Sequence, residues 1–112
     1  MKKIEAIIRP SKFEEIKAAL TKAGIHGMTV SNVTGCGFQQ GYKEVFRGTE
    51  YTISLIPKIK IEIVLKKESL DEIIKVFLET ARTGEIGDGK IFVYDVEDAI
   101  TIRTGQKGEQ VV

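Results

Sequence analysis

A strand-like segment occurs twice in the chain, and the same helix-start motif follows each copy. Residues 3–8 read Lys-Ile-Glu-Ala-Ile-Ile, and residues 60–65 read Lys-Ile-Glu-Ile-Val-Leu. Ser-x-x-Glu follows at residues 11–14 and again at residues 69–72. This motif is typical of a capping box, in which the serine and glutamate side chains bond free backbone N–H groups of the first helical turn. The chain is therefore predicted to repeat a strand followed by a helix.

Apolar residues recur at helical spacing after both motifs. They are Phe13, Ile16, Leu20 and Ala23 after the first motif, and Leu70, Ile73, Ile74, Phe77 and Ala81 after the second. Both predicted helices are amphipathic, so each has one face to bury. Gly24 ends the first helix in the usual way, and Gly84 closely follows the second.

Each predicted helix leads into a second strand. Residues 28–34 are rich in β-branched side chains, and residues 91–94 read Ile-Phe-Val-Tyr. The order is then βαβ, a long loop, and βαβ again. This order predicts an α+β fold of the ferredoxin-like βαββαβ type, a sandwich of two helices on one face of a four-stranded antiparallel sheet. A chain of 112 residues suits a single domain, residues 1–112.

The sheet face away from the helices carries two apolar misfits. Side chains alternate along a strand, so residues 3, 5 and 7 should face away from the helices, as should residues 60, 62 and 64. Ile7 and Val64 are the aliphatic members of this polar set, and they occupy equivalent positions in the two repeats. Isolated exposed aliphatic residues are common. The alternative is that this face meets another subunit or a flat ligand.

The segment from Gly35 to about Thr52 has neither helical nor alternating periodicity. A connection of this length is uncommon in so small a domain and is usually functional. It contains Tyr42, Phe46 and Tyr51, apolar groups that a solvated loop seldom keeps. The pattern favours a partner-binding loop over a plain long hairpin.

Composition excludes some classes of function and location. Lysine plus arginine number 17 and aspartate plus glutamate 16, so no bulk charge favours nucleic acid or an anionic membrane. The single cysteine, Cys36, excludes an intramolecular disulfide and is interpreted as a small loop residue without redox function. With no signal peptide or long apolar run, the chain is predicted to be cytoplasmic. His26 is the only histidine, which argues against histidine-rich metal clusters and a Ser-His-acid triad.

Residues 84–90 read Gly-x-x-x-x-Gly-Lys and come close to a P-loop. Ile91 replaces the expected serine or threonine, and a strand pattern follows in place of a helix, so this is not a Walker motif. Residues 87–89, Gly-Asp-Gly, can still form a tight turn whose backbone N–H groups face a phosphate, with charge from Lys90. A plain helix-to-strand turn is the alternative.

Residues 46–51, Phe-Arg-Gly-Thr-Glu-Tyr, resemble the Tyr-Arg-Gly-Ala-Glu-Tyr signature of the PII nitrogen regulatory proteins. Residues 2–10 and 56–62 are similar to the first and third strands of that family, and residues 81–93 to its second signature. The resemblance covers essentially the whole chain. It implies a homotrimer of ferredoxin-like subunits, with an adenine nucleotide, ATP or ADP, in each cleft between neighbours.

The resemblance also implies three functional loops and their ligand contacts. They are a T-loop at about 37–55, a B-loop at about 82–90 and a C-terminal loop at about 102–112. The implied nucleotide-binding residues are Ile7, Thr29, Gly35, Cys36, Gly37, Phe38, Glu62, Val64, Gly87, Asp88, Gly89, Lys90 and Arg103. The implied 2-oxoglutarate site uses Mg²⁺, held by Gln39 and the phosphates, with further contacts from Lys58, Gly37 and Gly87.

The same resemblance implies a regulator and not an enzyme. Nucleotide and 2-oxoglutarate would choose among conformations of the T-loop, which binds an ammonium transporter, glutamine synthetase or another nitrogen-metabolism protein. Arg47 matches a residue that plugs an ammonium channel, and Tyr51 a site that is uridylylated in some members. No nucleic acid partner is expected, and membrane contact only through a transporter. Two alternatives stay open: a small phosphatase on this fold, and a structural or metal-response trimer without nucleotide.

Two positions depart from the family pattern. Phe38 and Thr101 stand where many members have arginines that contact phosphate. Each charge-assisted hydrogen bond is worth about 1.5–3 kcal/mol. The sequence therefore predicts weakened triphosphate binding, with relative tolerance of diphosphate or monophosphate.

Overall fold

The computed structural model describes residues 1–38, 44–46, 49–51 and 53–112, and side chains in residues 1–36 and 55–112. The elements are β1 (Lys2–Ile8), α1 (Phe13–Lys22), β2 (Thr29–Phe38), β3 (Glu44–Phe46), β4 (Thr49–Tyr51), β5 (Ile53–Leu65), α2 (Leu70–Ala81) and β6 (Gly89–Asp95). Short 3-10 turns occupy Pro10–Lys12, Lys67–Ser69 and Glu109–Val111. No helix in the described part of the chain is long and apolar enough to span a membrane.

The main sheet has four strands in the order β2-β5-β1-β6, and every neighbouring pair is antiparallel. β1 is central, so Ala6 lies opposite Ile61 on one side and Ile91 on the other. The two repeats therefore interleave, each contributing one central and one edge strand. This is the strand order of a ferredoxin-like fold, and the prediction of an α+β βαββαβ sandwich is confirmed.

One face of the sheet packs against both helices and forms the core. The ten core side chains are at most 4% exposed: Ile4, Ala6, Ile8, Ile16, Leu20, Ile61, Ile63, Leu65, Ile73 and Phe77. The strand members follow a period of two and the helix members a period near 3.6. The predicted inward and outward faces of β1 and β5 are therefore correct.

The predicted capping boxes are wrong, although both helices begin within two residues of them. Neither helix has a side-chain hydrogen bond at its N-cap, and Ser11 lies inside the first 3-10 turn. Ser69 precedes α2 with φ −90° and ψ −7°, a helical conformation. A serine oxygen reaches the first-turn N–H groups from extended backbone, so the 3-10 turn prevents this contact.

Gly24 ends α1 as predicted. Its φ of +97° is in the left-handed region that glycine adopts without a steric penalty. The Ile25 N–H donates to the Leu20 carbonyl at 2.9 Å, and the Gly24 N–H donates to the Thr21 carbonyl at 3.1 Å. These two bonds form a Schellman motif that satisfies the last carbonyl groups of the helix.

Part of the segment predicted to be loop is paired strand. β2 continues through the glycines, with Gly35 opposite Ile56 and Phe38 opposite Ile53. Cys36, interpreted as a loop residue, is an exposed strand residue. The alternation signal fails here because glycines interrupt it, whereas backbone pairing needs no side chain. β3 and β4 form a further hairpin, with Glu44 opposite Tyr51.

Candidate functional site

The turn between α2 and β6, residues 82–88, is organised by the carboxylate of Asp88. This carboxylate accepts hydrogen bonds from the backbone N–H groups of Thr83 at 2.8 Å and Gly84 at 2.9 Å, and from the Thr83 hydroxyl. Arg9 Nε donates to it at 3.0 Å. These donors, the Thr83 hydroxyl foremost, hold the pKa of Asp88 well below its usual range. Asp88 is therefore ionised at neutral pH and turned into its own loop.

Arg9 connects this turn to the end of β1. Besides its bond to Asp88, its Nη2 donates to the Ile86 carbonyl at 2.9 Å. The guanidinium also lies beside Gly87, where an added Cβ would sit 3.2 Å from Nη2. Arg9 is thus bonded at two points, Ile86 and Asp88, to the second half of the turn.

Three glycines in the turn or directly after it adopt conformations that other residues rarely take, and Gly84 is one of them with φ +87°. Gly87 has φ +106° and Gly89 has φ +103°. A Cβ on Gly89 would lie 1.7 Å from the carbonyl oxygen of Ile7, a distance that no side chain tolerates. Across the strand pair, Lys90 lies opposite Ile7 and is exposed. The structure therefore places Ile7 beside Gly89 and Lys90, shortly after Gly87.

Lys58 joins the turn to the β2–β5 pair. Its ammonium donates to the carbonyl oxygen of Gly87. Lys58 lies opposite Val33, one position beyond the last pairing of β1 with β5. A Cβ on Gly35 would lie 3.6 Å from Lys58 Cγ, at ordinary van der Waals distance, so Lys58 covers the side of β2 at this glycine. An ammonium has three N–H donors, so Lys58 keeps donors for an anionic ligand.

The open sheet face carries a charged network around Glu62. Lys3 lies 2.9 Å and Lys60 3.5 Å from the Glu62 carboxylate, and Lys60 lies 4.0 Å from Glu5. The Tyr94 hydroxyl donates to Glu5 at 3.1 Å. The hydrogen bond from Lys3 lowers the pKa of Glu62, and acceptance by Glu5 raises the pKa of Tyr94. A ligand contacting Glu62 would therefore meet an already paired carboxylate.

The two predicted adenine contacts line different cavities. Val64 lines one of about 750 Å³ with Thr29, Glu62 and the chain-end residues Val111 and Val112. Ile7 lines another of about 400 Å³ with Gly89 and Lys90. Val64 is 38% exposed and Ile7 is half-buried. Both misfits therefore remain accessible from the open face.

One copy of the chain does not gather all the predicted site residues. Thr29 pairs with Glu62, whereas Gly35 pairs with Ile56 toward the other end of β2. Six positions of strand span about 20 Å at ~3.3 Å per residue. Arg103 is exposed within a hairpin that the Ile100–Lys107 bridge closes. A single ligand touching every predicted residue would need more than one copy.

A family model described as "Nitrogen regulatory protein P-II" matches residues 1–106. The chain belongs to the P-II family. A "Nitrogen regulatory protein P-II" of Pasteurella multocida is 53% identical over 112 residues, with both chains fully covered. The protein of that name from Nostoc punctiforme is 54% identical, also with full coverage.

Solved structures agree with this P-II assignment. The structure of B. subtilis GlnK matches with a TM-score of 0.84 and 40% identity, covering 99% of this chain and 97% of that one. A structure titled as a B. subtilis GlnK–ATP complex matches with a TM-score of 0.84 and 37% identity, covering 99% and 94%. P-II relatives carry the name of regulatory proteins, and the predicted family is confirmed.

Several predicted site residues of this P-II chain lie outside the description. Gln39 and Arg47 are outside the described residues, and for Gly37, Phe38 and Tyr51 only the strand backbone is described. Within the described ranges, no group of three or more His, Cys, Asp and Glu residues could hold a metal ion. The ligand roles of all these residues stay predictions.

Arg9 and Thr83 were missed by sequence reasoning. Arg9 follows a strand in sequence, and nothing local shows that its partner is Asp88. Thr83 gave a weak signal, because threonine and aspartate near glycine commonly bond local backbone groups.

Proposed function

We propose that this chain is a cytoplasmic P-II regulator that binds an adenine nucleotide and 2-oxoglutarate and acts through residues 37–55. The observation that carries the proposal is the contact of Lys58 with the Gly87 carbonyl, because it joins the glycine turn to the base of that segment. The solved GlnK–ATP complex of a relative supports the choice of nucleotide.

The nucleotide would lie between subunits of a homotrimer. Its phosphates would meet backbone N–H groups of the turn at 87–89, with charge from Lys90. Its adenine would pack on the aliphatic side chains of Ile7 and Val64. Since Thr29 and Val64 lie toward the other end of the sheet from the turn in one copy, they would approach from the neighbouring subunit, and Arg103 would approach with them. This arrangement explains why the predicted residues are separated within a protomer.

The 2-oxoglutarate site would adjoin the phosphates. Mg²⁺ would supply a hard cation that a 2-keto acid chelates through two oxygens. Gln39 would help to hold this cation, and backbone at Gly37 and Gly87 would line the site. Lys58 would pair with the distal carboxylate, a charge-assisted contact.

Regulation would follow from the position of these ligands at the base of the segment. An effector shifts a conformational equilibrium only through its different affinities for the competing states. A ligand that contacts Lys58 and Gln39 would bind with different affinity to different conformations of the segment, because both residues lie at its base. The segment would then bind or release an ammonium transporter, glutamine synthetase or another nitrogen-metabolism protein, with Arg47 at the contact and Tyr51 as a modification site.

The test is a calorimetric titration of 2-oxoglutarate into the full chain with Mg²⁺, with and without ATP. We expect binding that requires ATP, because the nucleotide completes the cation site. Lys58→Met should weaken 2-oxoglutarate binding about 10- to 100-fold, the equivalent of one lost charge-assisted contact. Lys75→Met is the matched control, since Lys75 lies on α2 and is 74% exposed. Independent binding of ATP and 2-oxoglutarate would refute the shared site.

A second titration tests the nucleotide preference predicted from Phe38 and Thr101. We expect ATP affinity within about tenfold of ADP affinity, because two arginine contacts of the family are missing. Joint replacement Phe38→Arg and Thr101→Arg should selectively tighten ATP binding. Thr21→Arg adds a charge on α1 and serves as the control. Wild-type ATP binding far tighter than ADP or AMP binding would contradict the prediction.

A further inference from the structure

The carboxylate of Asp88 makes all its observed contacts with its own loop and with Arg9, the residue that follows β1. Oδ1 accepts from Arg9 Nε and the Thr83 hydroxyl, and Oδ2 accepts from the N–H groups of Thr83 and Gly84. Each oxygen therefore already has two donors. This arrangement leaves little capacity for direct contact with a ligand, and a carboxylate would in any case repel phosphate.

We infer that Asp88 is a positioning residue for phosphate binding, which shapes the turn 82–88 so that its glycine backbone faces the ligand. The inference rests on the proposed function, because it takes the phosphates of that nucleotide as the ligand. Asp88 acts through its hydrogen bonds with Thr83, Gly84 and Arg9 and does not contact the phosphates.

Only a carboxylate meets the demands of this position. An asparagine has the same shape, but its amide offers one acceptor oxygen and one NH₂ donor. With four donors converging on the side chain, the NH₂ group would face either the N–H groups of Thr83 and Gly84 or the donors of Arg9 and Thr83. Asp88→Asn therefore removes the acceptor for one of the two pairs of donors, while the volume of the side chain is conserved.

Because Asp88 pairs with Arg9, the direction in which ATP affinity changes when Asp88 is replaced distinguishes two roles for Asp88. Asp88 directs the Arg9 guanidinium toward itself and the Ile86 carbonyl. If Asp88 acted only as a negative charge close to phosphate, its removal would lower repulsion, release Arg9 and tighten ATP binding. If Asp88 positions the turn, its removal weakens ATP binding despite the gain in positive charge.

The experiment compares ATP, ADP and adenosine binding to the full-length wild type, Asp88→Asn and Asp88→Ala by calorimetry with Mg²⁺. We expect ATP and ADP affinity to fall about tenfold or more, as for lost hydrogen bonds to charged groups. Adenosine affinity should change less than about twofold, because its base would contact Ile7 and Val64 on other strands. Asp95→Asn is the matched control, since Asp95 lies at the far end of the strand that follows Asp88 and its carboxylate pairs with Lys2.

A second measurement does not depend on any ligand. Amide hydrogen exchange at Thr83 and Gly84 should accelerate in Asp88→Ala, because both N–H groups lose their acceptor. Thr83→Ser should keep wild-type ATP affinity, whereas Thr83→Val should lower it. If the Asp88 variants fail to fold, the Thr83 pair tests one of these hydrogen bonds, that from the Thr83 hydroxyl, with a smaller change.

The outcomes separate this inference from the proposed function. Unchanged or tighter ATP binding by a folded Asp88→Asn overturns the inference and leaves the proposed function standing. Equal losses for ATP and adenosine also overturn it, because the effect would not be specific to phosphate. A wild type that binds neither ATP nor ADP overturns the proposed function, and the inference fails with it.

Discussion

Gly89→Ala will lower the free energy of unfolding by on the order of 4 kcal/mol. A loss this large is exceptional for one substitution and has a specific steric cause here. The cause is the carbonyl oxygen of Ile7, which would lie 1.7 Å from the new Cβ. Because the neighbour is backbone of the central strand, relief requires β6 to move away from β1. The measurement is urea unfolding at a fixed protein concentration.

Gly84→Ala is the matched control for this substitution. Gly84 also has a positive φ, +87°, but nothing lies within 4 Å of an added Cβ. Gly84→Ala should lower the free energy of unfolding by only about 1–2 kcal/mol, the cost of placing an L-residue in the left-handed region. Equal losses for the two variants would show that backbone conformation, and not the contact with Ile7, sets the requirement for glycine.

Phe77→Ala will cost about 3–5 kcal/mol of unfolding free energy, the range for deleting a buried aromatic ring. Phe77 is 1% exposed and packs between α2 and the sheet. It also borders a cavity of about 400 Å³ that Asp88 and Gly89 line. The loss therefore occurs directly beneath the turn proposed to bind phosphate. Thermal and urea unfolding both measure it.

Leu78→Ala is the neighbouring control on the same helix. Leu78 is 56% exposed, so its truncation removes little buried surface and should cost less than about 1 kcal/mol. A small loss for Phe77→Ala would mean that the core closes around the missing ring.

The fold could be predicted from sequence because the two repeats carry the same information twice. In each repeat the period of the apolar residues changes from two to about 3.6 at the junction of strand and helix, and that change alone defines which faces meet. The capping boxes failed because both serines lie in 3-10 turns, a local geometry that the motif does not encode. The length of β2 was missed because Gly35 and Gly37 hide a strand whose pairing is purely backbone.

The candidate site was less predictable, since its geometry depends on contacts between distant residues. Arg9 and Asp88 are 79 positions apart, and Lys58 and Gly87 are 29 apart. The glycine turn itself was recognisable from residues 87–90. Its internal bonding was not, because an aspartate beside a phosphate-binding motif gives no sign of the direction its carboxylate takes.

β2 and β5 remain paired beyond the end of β1. β1 ends opposite Ile59, whereas β2 and β5 stay paired from Val33–Lys58 to Phe38–Ile53. This two-stranded arm is about 17 Å long at ~3.4 Å per residue. A tilt of about 10° at its root would carry the far end about 3 Å over that length. A rearrangement around the Lys58 ammonium that tilted this arm would therefore displace its distal strand ends by about an atomic diameter.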